Sequence, residues 1–434
     1  MKNIKPFHKF MLLWAGGFVS AIGSGLTSFG LGVYVFQQTG KASAMAMVTL
    51  FAFLPSLLLS PFAGVLADRF DRRLLMILGD GLSAFGIVYI LICTLNGEAK
   101  LWQICIGVTI SSVFSSLLEP AYKATITDLL TKEEYTKASG LVGISNSAKF
   151  LISPIIAGFL LTTSTIELLL IIDICTIFLT VISTIAVRKG LATKTVEQGD
   201  TFIGQFKVGW QAITQNRGVF ILVIMGSAMT FCIGIIQTLS SPMVLSFTDS
   251  AALGTGMTLI ASGMLVTSLI LGIIPIKKDY ATILSVSMFF VGIFMVGVGL
   301  KPQMLLICIS GFLMFAMLPL SNTCIDYLLR VNIANEVQGR AWGLIGILSQ
   351  LGSVVAFALS GVLADYIFTP LLLEDGFLAD SVGKIIGTGN GRGIAFLIIL
   401  AGALLCVTAI MLYNIKAVRK LEVLHVQQNN KKRY

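Results

Sequence analysis

The sequence is poor in histidine and in charged side chains. Only two histidines occur, His8 and His425, and both stand in the terminal segments, which excludes a proton relay built from histidines. Charged residues make up 12% of the 434 residues and hydrophobic residues 56%. An ordinary soluble domain carries about twice that share of charge. The composition therefore excludes a soluble globular protein.

Motifs for a disulfide scaffold, a metal site and a nucleotide site are also missing. No G-x-x-x-x-G-K-[ST] sequence occurs, and no loop is long enough to house a nucleotide-binding domain. The cysteines show neither a close pair in a connecting loop nor a metal-type spacing. We therefore predict no metal, no bound cofactor and no ATP hydrolysis within this chain. All seven cysteines stand in apolar segments: Cys93, Cys105, Cys175, Cys232, Cys308, Cys324 and Cys406.

Apolar residues are gathered in twelve blocks of roughly 20 residues. A helix of that length crosses about 30 Å of hydrocarbon. The first block is too long for a cleaved signal peptide, and eleven more follow it. The sequence therefore predicts an all-α integral membrane protein with twelve transmembrane helices. Their approximate positions are 10–36, 44–67, 74–95, 101–122, 138–162, 166–188, 218–247, 252–275, 282–299, 303–328, 339–367 and 391–415.

Basic side chains are distributed unevenly between the connecting segments. Most of the 30 lysines and arginines fall in the N-terminal segment, in the loops after even-numbered helices and in the C-terminal tail. Positive charge concentrates on the cytoplasmic side of membrane proteins, so we predict that both termini are cytoplasmic. The net charge of +9 then reflects orientation and contact with anionic lipid, not nucleic-acid binding.

The longest connection separates six predicted helices from six others. Within it, Phe202, Phe206 and Trp210 recur at helical spacing, which predicts a short helix on the membrane surface; a plain linker is the alternative. The predicted domains are an N-terminal six-helix half (1–188), a cytoplasmic central linker (189–217), a C-terminal six-helix half (218–415) and a basic cytoplasmic tail (416–434).

Two internal repeats support this division. "EEYTKASGLVG" at 133–143 and "EVQGRAWGLIG" at 336–346 agree in charge and glycine positions at a shift of 203 residues, which indicates two parallel halves. "GVLAD" occurs at 64–68 and again at 361–365, at the ends of the second and eleventh helices. These are the middle helices of three-helix units with opposite orientation, as in inverted repeats.

The stretch "GVLADRFDRR" at 64–73 resembles a motif of the major facilitator superfamily of transporters. The family motif reads G-x-L-A-D-R-x-G-R-R and lies between its second and third helices. Only Asp71 departs from it, where the family has glycine, and aspartate tolerates turn conformations well. The resemblance implies the fold of that superfamily, in which two six-helix halves expose a central site alternately to either side of the membrane.

The resemblance also implies a gate at the cytoplasmic ends of helices 2 and 11. Asp68 and its neighbouring arginines are expected to hold the two helices together there, because free N–H groups at the start of helix 11 attract an anion. For Arg72 and Arg73, a simple role as topology anchors stays open. Asp80 is expected to support the loop from within helix 3. The gating motif comprises Gly64, Asp68, Arg69, Arg72, Arg73, Asp80 and Arg340.

Within the superfamily, the chain is most similar to the macrolide-efflux branch of drug–proton antiporters. The similar stretches are "LLWAGGFVSAIGSGL" (12–26), "ATITDLLTKEEYTKASG" (124–140), "LISPIIAGFL" (151–160), "NEVQGRAWGL" (335–344) and "GKIIGTGNGRGIAF" (383–396). This similarity implies export of a compound in exchange for protons. Many antiporters of the superfamily carry an arginine in the fourth helix, which this sequence lacks, so that residue cannot be assigned the coupling role.

Four charged residues inside the predicted helices are candidates for proton coupling: Glu119, Lys149, Asp173 and Asp326. A charged side chain at the centre of a membrane helix costs about 2.5–3.5 kcal/mol to insert into the bilayer. A charged residue at such a position is therefore expected to have a function. Lys149 and Asp173 are expected within reach of each other; a static pair, or a lysine that extends to water, is the alternative. Glu119 and Asp326 are expected to face the central cavity or, alternatively, interfacial water. A partly dehydrated carboxylate takes up a proton more readily than one in water.

Helices 1, 7 and 10 are expected to line the central cavity with flexible or aromatic side chains. A cavity wall of this kind suits varied amphiphilic cargo. Most residues of this kind in a membrane protein instead face lipid or neighbouring helices. The candidates for the substrate cavity are Phe18, Thr27, Met225, Met229, Gln237, Phe312 and Phe315.

Together these features predict a multi-pass exporter of macrolide-like drugs in the plasma membrane of a bacterium. We expect a monomer that is driven by the proton gradient. Its partners are an amphiphilic small molecule, protons and membrane lipid, and no nucleic acid. Export of a siderophore or a lysophospholipid is the alternative. A membrane sensor derived from a transporter would need a longer tail, and a membrane enzyme would need polar residues clustered at one depth.

Overall fold

The computed structural model describes residues 6–131, 134–188, 202–274, 276–334 and 337–422, and most of these residues are helical. They form two compact units. The N-terminal unit comprises the described residues within Met1–Gln198 together with Thr248–Thr258. The C-terminal unit comprises the described residues within Gly199–Phe247 and Leu259–Tyr434.

The helices of the N-terminal unit follow one another with short connections. They are α1 (Pro6–Thr39), α2 (Ala42–Arg69), α3 (Arg72–Leu95), α4 (Leu101–Ser115), α5 (Leu118–Leu129), α6 (Tyr135–Leu151), α7 (Ser153–Thr163) and α8 (Ile166–Arg188).

The C-terminal unit begins with a helix of the central linker. In chain order, its helices are α9 (Phe202–Thr214), α10 (Arg217–Leu245), α11 (Ser250–Ile273), α12 (Tyr280–Leu300), α13 (Met304–Asn332), α14 (Gln338–Leu363), α15 (Thr369–Leu371), α16 (Gly383–Ile386) and α17 (Arg392–Asn414). The first part of α11 groups with the N-terminal unit. A π-helical turn at Ala364–Phe368 joins α14 to α15, and residues 416–422 are helical.

Twelve helical segments in the described part of the chain are long and apolar enough to cross a membrane, which confirms the predicted number. Three of them combine two helices each: α4 with α5 as Leu101–Ile126, α6 with α7 as Gly140–Thr163, and α14 with α15 as Arg340–Leu371. The architecture is that of an all-α, multi-pass membrane protein.

Prolines account for the interruptions within two of these segments. The junction of α4 and α5 at 116–117 precedes Pro120, and the junction of α6 and α7 at Ile152 precedes Pro154. Proline lacks the N–H that would bond to the carbonyl four residues earlier, and its ring crowds that carbonyl. Each break therefore falls within the turn before the proline. The first break places Glu119 in the first turn of α5.

Glycine permits a very close approach of α3 to α4. At Gly86 of α3, a Cβ atom would stand 2.2 Å from the carbonyl oxygen of Gly107 and 2.7 Å from the backbone nitrogen of Ser111. Both of these atoms belong to the backbone of α4. The two helices therefore lie too close together to admit a side chain at this point.

We expect Gly86→Ala to lower the thermal unfolding temperature of the protein, because the backbone of α4 must shift to admit the methyl group. Overpacking of this kind costs about 1–3 kcal/mol. Gly81→Ala on the same helix is the matched control, since a Cβ there meets nothing within 4 Å. Thermal unfolding of both variants in lipid nanodiscs tests the contact. Equal unfolding temperatures would show that α4 can move aside without cost.

The helix predicted in the central linker is present as α9. Ile213 is completely buried, and the ring of Trp210 lies 6.4 Å from that of Phe220 in α10. A Cβ at Gly209 would stand 2.7 Å from the carbonyl oxygen of Arg340, in the first turn of α14. Thus α9 packs against the start of α14. The side chains of Phe202 and Phe206 lie outside the described part of the structure.

Candidate functional site

A buried polar cluster in the N-terminal unit is centred on Asp173 of α8. Asp173 is only 2% exposed. The hydroxyl of Ser24 in α1 donates a long hydrogen bond of 3.5 Å to Asp173 Oδ1. The ammonium group of Lys149 in α6 attracts this carboxylate electrostatically. Three helices thus bring a carboxylate, a hydroxyl and an ammonium group together inside the membrane-spanning part of the protein.

Two glycines of α1 allow these helices to converge. A Cβ at Gly23 would lie 3.0 Å from Asp173 Oδ1 and 2.2 Å from Thr176 Oγ1. A Cβ at Gly25 would lie 2.3 Å from the hydroxyl oxygen of Ser153 in α7. Since Cβ atoms almost never come within 3.0 Å of another heavy atom, a side chain at either position would force the neighbouring hydroxyl groups or helices to shift. The close approach places the hydroxyl side chains of α1 against α8.

Asp80 adds a second buried carboxylate to this region. It is 5% exposed, and its carboxylate repels that of Asp173 across the packed pair α3 and α8. It lies eight residues after the start of α3, about 12 Å along the helix axis. From the sequence, Asp80 is expected to support the loop before α3 from within that helix, and this role stays a prediction. The structure adds an electrostatic interaction with Asp173.

A second polar cluster joins the loop between α2 and α3 to the end of α5. Arg72 donates to the carbonyl oxygens of Ala67 at 3.2 Å and Ala124 at 3.1 Å, and to Asp128 Oδ1 at 2.8 Å. Arg73 is 5% exposed, and its guanidinium lies 3.8 Å from Asp128 Oδ2. One carboxylate at the end of α5 thus faces both arginines. This arrangement fixes the loop against α5 within one unit.

Asp71 has a structural role at the position where it departs from the family motif. Its carboxylate accepts a hydrogen bond of 3.1 Å from the backbone N–H of Arg73 and caps α3. Its φ is −57°, so the turn does not need the freedom of glycine. An N-cap aspartate contributes about 1 kcal/mol relative to alanine.

The predicted gate rests on residues that the structure describes only in part. The side chains of Asp68 and Arg69 lie outside the described part of the structure, so a contact of Asp68 stays a prediction. A Cβ at Gly64 would meet nothing within 4 Å. Arg340 has an exposed side chain in the first turn of α14, which corresponds to predicted helix 11.

Two other candidates for proton coupling lie in exposed positions. Glu119 is 76% exposed and forms an ion pair of 2.6 Å with Lys123, one turn further along α5. Asp326 of α13 is exposed and is attracted by Arg330, also one turn away. Each therefore has a basic neighbour on its own helix.

The substrate-cavity candidates are distributed over both units. The ring centroid of Phe18 lies 5.5 Å from that of Trp14. An open apolar groove of about 440 Å³ lies between α12 and α13, and Phe290, Phe294 and Met317 contribute to its walls; none of the candidates lines it. Thr27 and Met229 are buried, Phe18, Met225, Phe312 and Phe315 are half-buried, and Gln237 is exposed.

Comparison with known proteins decides the family. Residues 13–357 match the model of the Major Facilitator Superfamily. The chain belongs to this superfamily. This confirms the resemblance inferred from the loop motif and the twelve apolar segments.

Two macrolide-efflux proteins match most of the chain. The chain is 27% identical over 426 residues to Macrolide efflux protein A of Streptococcus pyogenes. This alignment covers 96% of this chain and 98% of that protein. It is 27% identical over 323 residues to Macrolide efflux protein A of Enterococcus faecalis, covering 72% and 98% respectively. The predicted similarity to macrolide-efflux proteins is therefore confirmed.

Solved structures share the fold of the superfamily. The crystal structure of the nucleoside transporter NupG matches with a TM-score of 0.74, covering 94% of this chain and all of that one, at 10% identity. The superfamily fold predicted from the sequence is thereby confirmed.

Two features of these polar clusters were not predicted from the sequence: the role of Asp128 and the interaction of Asp80 with Asp173. Asp128 binds the loop arginines, and the available signal was an acidic residue shortly after the fourth predicted helix, on the same side of the membrane as the loop. The electrostatic interaction of Asp80 with Asp173 left no such signal, because it depends on how α3 packs against α8.

Proposed function

We propose that this protein exports hydrophobic or amphiphilic compounds, macrolides among them, in exchange for protons. The likeness to Macrolide efflux protein A along 96% of the chain is the observation that carries the choice of cargo. Phe18, Met225 and Phe312 are among the cavity candidates from the sequence, and flexible and aromatic side chains of this kind suit varied apolar compounds. We place both termini in the cytoplasm of a bacterium, in keeping with the distribution of basic residues.

Asp173 is the proposed proton carrier. An ionised carboxylate is costly in a membrane interior, and Asp173 is almost completely buried. When the site is closed to water, protonation of Asp173 removes that cost. The protein can therefore return from its outward-open to its inward-open state most easily with the proton bound. Water on the cytoplasmic side then accepts the proton, and the nearby ammonium of Lys149 stabilises the carboxylate that remains.

Drug-dependent proton release from everted membrane vesicles tests this function. Vesicles that contain the protein are acidified inside by respiration, and a panel of macrolides and lipophilic cations is added. We expect macrolides to cause proton efflux from the lumen, and vesicles without the protein supply the control. A response to a lysophospholipid or a siderophore, with none to the panel, would replace the proposed cargo. Drug accumulation that persists with an uncoupler present would contradict proton antiport.

A further inference from the structure

We propose that Thr27 is a positioning residue for Asp173 and that its hydroxyl forms a hydrogen bond with the carboxyl group during the transport cycle, as donor to the ionised form and as acceptor from the protonated form. This inference rests on the proposed proton coupling and deepens it. It assigns Thr27, expected from the sequence to line the substrate cavity, to the proton-binding cluster instead.

The first observation is a hydroxyl group without a hydrogen-bond partner. Thr27 is 5% exposed, and its Oγ1 atom is buried without a hydrogen bond to any described residue. Other threonines in the helices of this unit, such as Thr39, Thr109 and Thr125, donate to the carbonyl four residues earlier. That bond is the usual local partner of a helical threonine. The hydroxyl of Thr27 is not engaged in this way.

The second observation is the position of that hydroxyl. Thr27 follows Ser24 by three residues in α1, so both side chains lie on one face of the helix. Thr27 lies near enough to interact with the Asp173 carboxyl, although the two groups are not in hydrogen-bond geometry. Asp173 has one long hydrogen bond, from Ser24 at 3.5 Å. A buried carboxyl and a buried hydroxyl therefore face each other with a hydrogen bond still to be made.

The chemistry of the neighbours shows why a hydroxyl is needed. Lys149 approaches Asp173 from α6 and Asp80 from α3. An ammonium group only donates hydrogen bonds, and an ionised carboxylate only accepts them, whereas a hydroxyl does both. Thr27 can donate to ionised Asp173 and can accept from the O–H of protonated Asp173. The transferred proton passes from water to the carboxylate oxygen and back to water, and Thr27 keeps its own proton throughout.

Thr27→Val removes the hydroxyl while nearly preserving the shape of the side chain, and Thr27→Ser keeps the hydroxyl. In proteoliposomes, we expect Thr27→Val to slow proton-driven macrolide transport at least about tenfold, the lower bound for the loss of one hydrogen bond to a charged group. Thr27→Ser should retain transport. Macrolide counterflow without a proton gradient requires cargo binding and alternating access alone, so both variants should retain it. Normal proton-driven transport in Thr27→Val, or an equal loss of counterflow, would overturn the proposal.

Infrared difference spectroscopy reads the hydrogen bond directly and separates this inference from the proposed function. The C=O stretching band of protonated Asp173 is assigned by its disappearance in Asp173→Asn. We expect that band to shift to higher frequency in Thr27→Val and to stay in place in Thr27→Ser. An unchanged band in Thr27→Val would overturn the role of Thr27. Absence of proton-driven transport in the wild type would overturn the proposed function, whatever the infrared band shows.

Discussion

Asp173→Asn should abolish proton-coupled export while the protein remains folded in the membrane. Asparagine has nearly the shape of a neutral aspartic acid and can still accept the hydrogen bond that Ser24 donates. The variant therefore imitates a permanently protonated carrier, which binds cargo and changes conformation but releases no proton. We expect macrolide-dependent proton release in everted vesicles to fall to background. Counterflow of macrolide should continue.

Glu167→Gln supplies the control on the same helix, because Glu167 lies in the first turn of α8, about 9 Å along the helix axis from Asp173. It should release protons as the wild type does. If Asp173→Asn also behaved as the wild type, Asp173 would not carry the proton. Coupling would then be sought at Glu119 and Asp326, which are exposed to solvent in the structure.

The interpretation of Lys149 and Asp173 as a static buried pair predicts a different pattern. Removing one partner of such a pair leaves an uncompensated charge and destabilises the protein, whereas replacing both with neutral groups is often tolerated. Under that interpretation, the double variant Lys149→Met with Asp173→Asn regains both thermal stability and proton-coupled transport. Under the proposed function it regains stability alone, because no proton carrier is present.

The membrane-spanning helices could be predicted from the sequence because their signal is local. An apolar block of sufficient length must form a helix to satisfy its backbone hydrogen bonds in hydrocarbon. The breaks within two spans could not be predicted in the same way. Pro120 and Pro154 each follow a break, whereas Pro55, Pro61 and Pro242 lie inside continuous helices. A proline in the sequence therefore does not by itself predict an interruption of the backbone.

In the candidate site, too, local features could be predicted from the sequence, whereas contacts that depend on helix packing could not. Lys149 and Asp173 could be brought together from the sequence, because a rise of 1.5 Å per residue places them at similar depths in their helices. The participation of Ser24 could not be predicted, since it depends on the close approach that Gly23 and Gly25 permit between α1 and its neighbours. Residues that are far apart in the sequence give no sign of such contacts. The hydroxyl of Ser24 and the carboxylate of Asp173 are 149 positions apart.

Asp128→Asn is expected to lower thermal stability and to reduce transport at the same time. Arg72 and Arg73 both face the Asp128 carboxylate. A neutral amide removes the charge that balances these two guanidinium groups, one of which is buried. Hydrogen bonds to charged groups contribute about 1.5–3 kcal/mol each, so we expect a loss of that order in the free energy of unfolding. Thermal unfolding in nanodiscs and proton release in vesicles measure the two effects.

Lys123→Gln is the matched control for stability, because it also breaks an ion pair of α5. That pair joins one turn of helix, and both side chains are largely exposed, so its loss costs about 0.5 kcal/mol or less. A topology anchor needs only the positive charge of the arginines, which Asp128→Asn leaves in place. If Asp128→Asn transported normally and unfolded like Lys123→Gln, the arginines would serve as topology anchors alone. A loss of transport in Asp128→Asn at a temperature where the protein stays folded would instead show that the contact of the loop with α5 takes part in the conformational cycle.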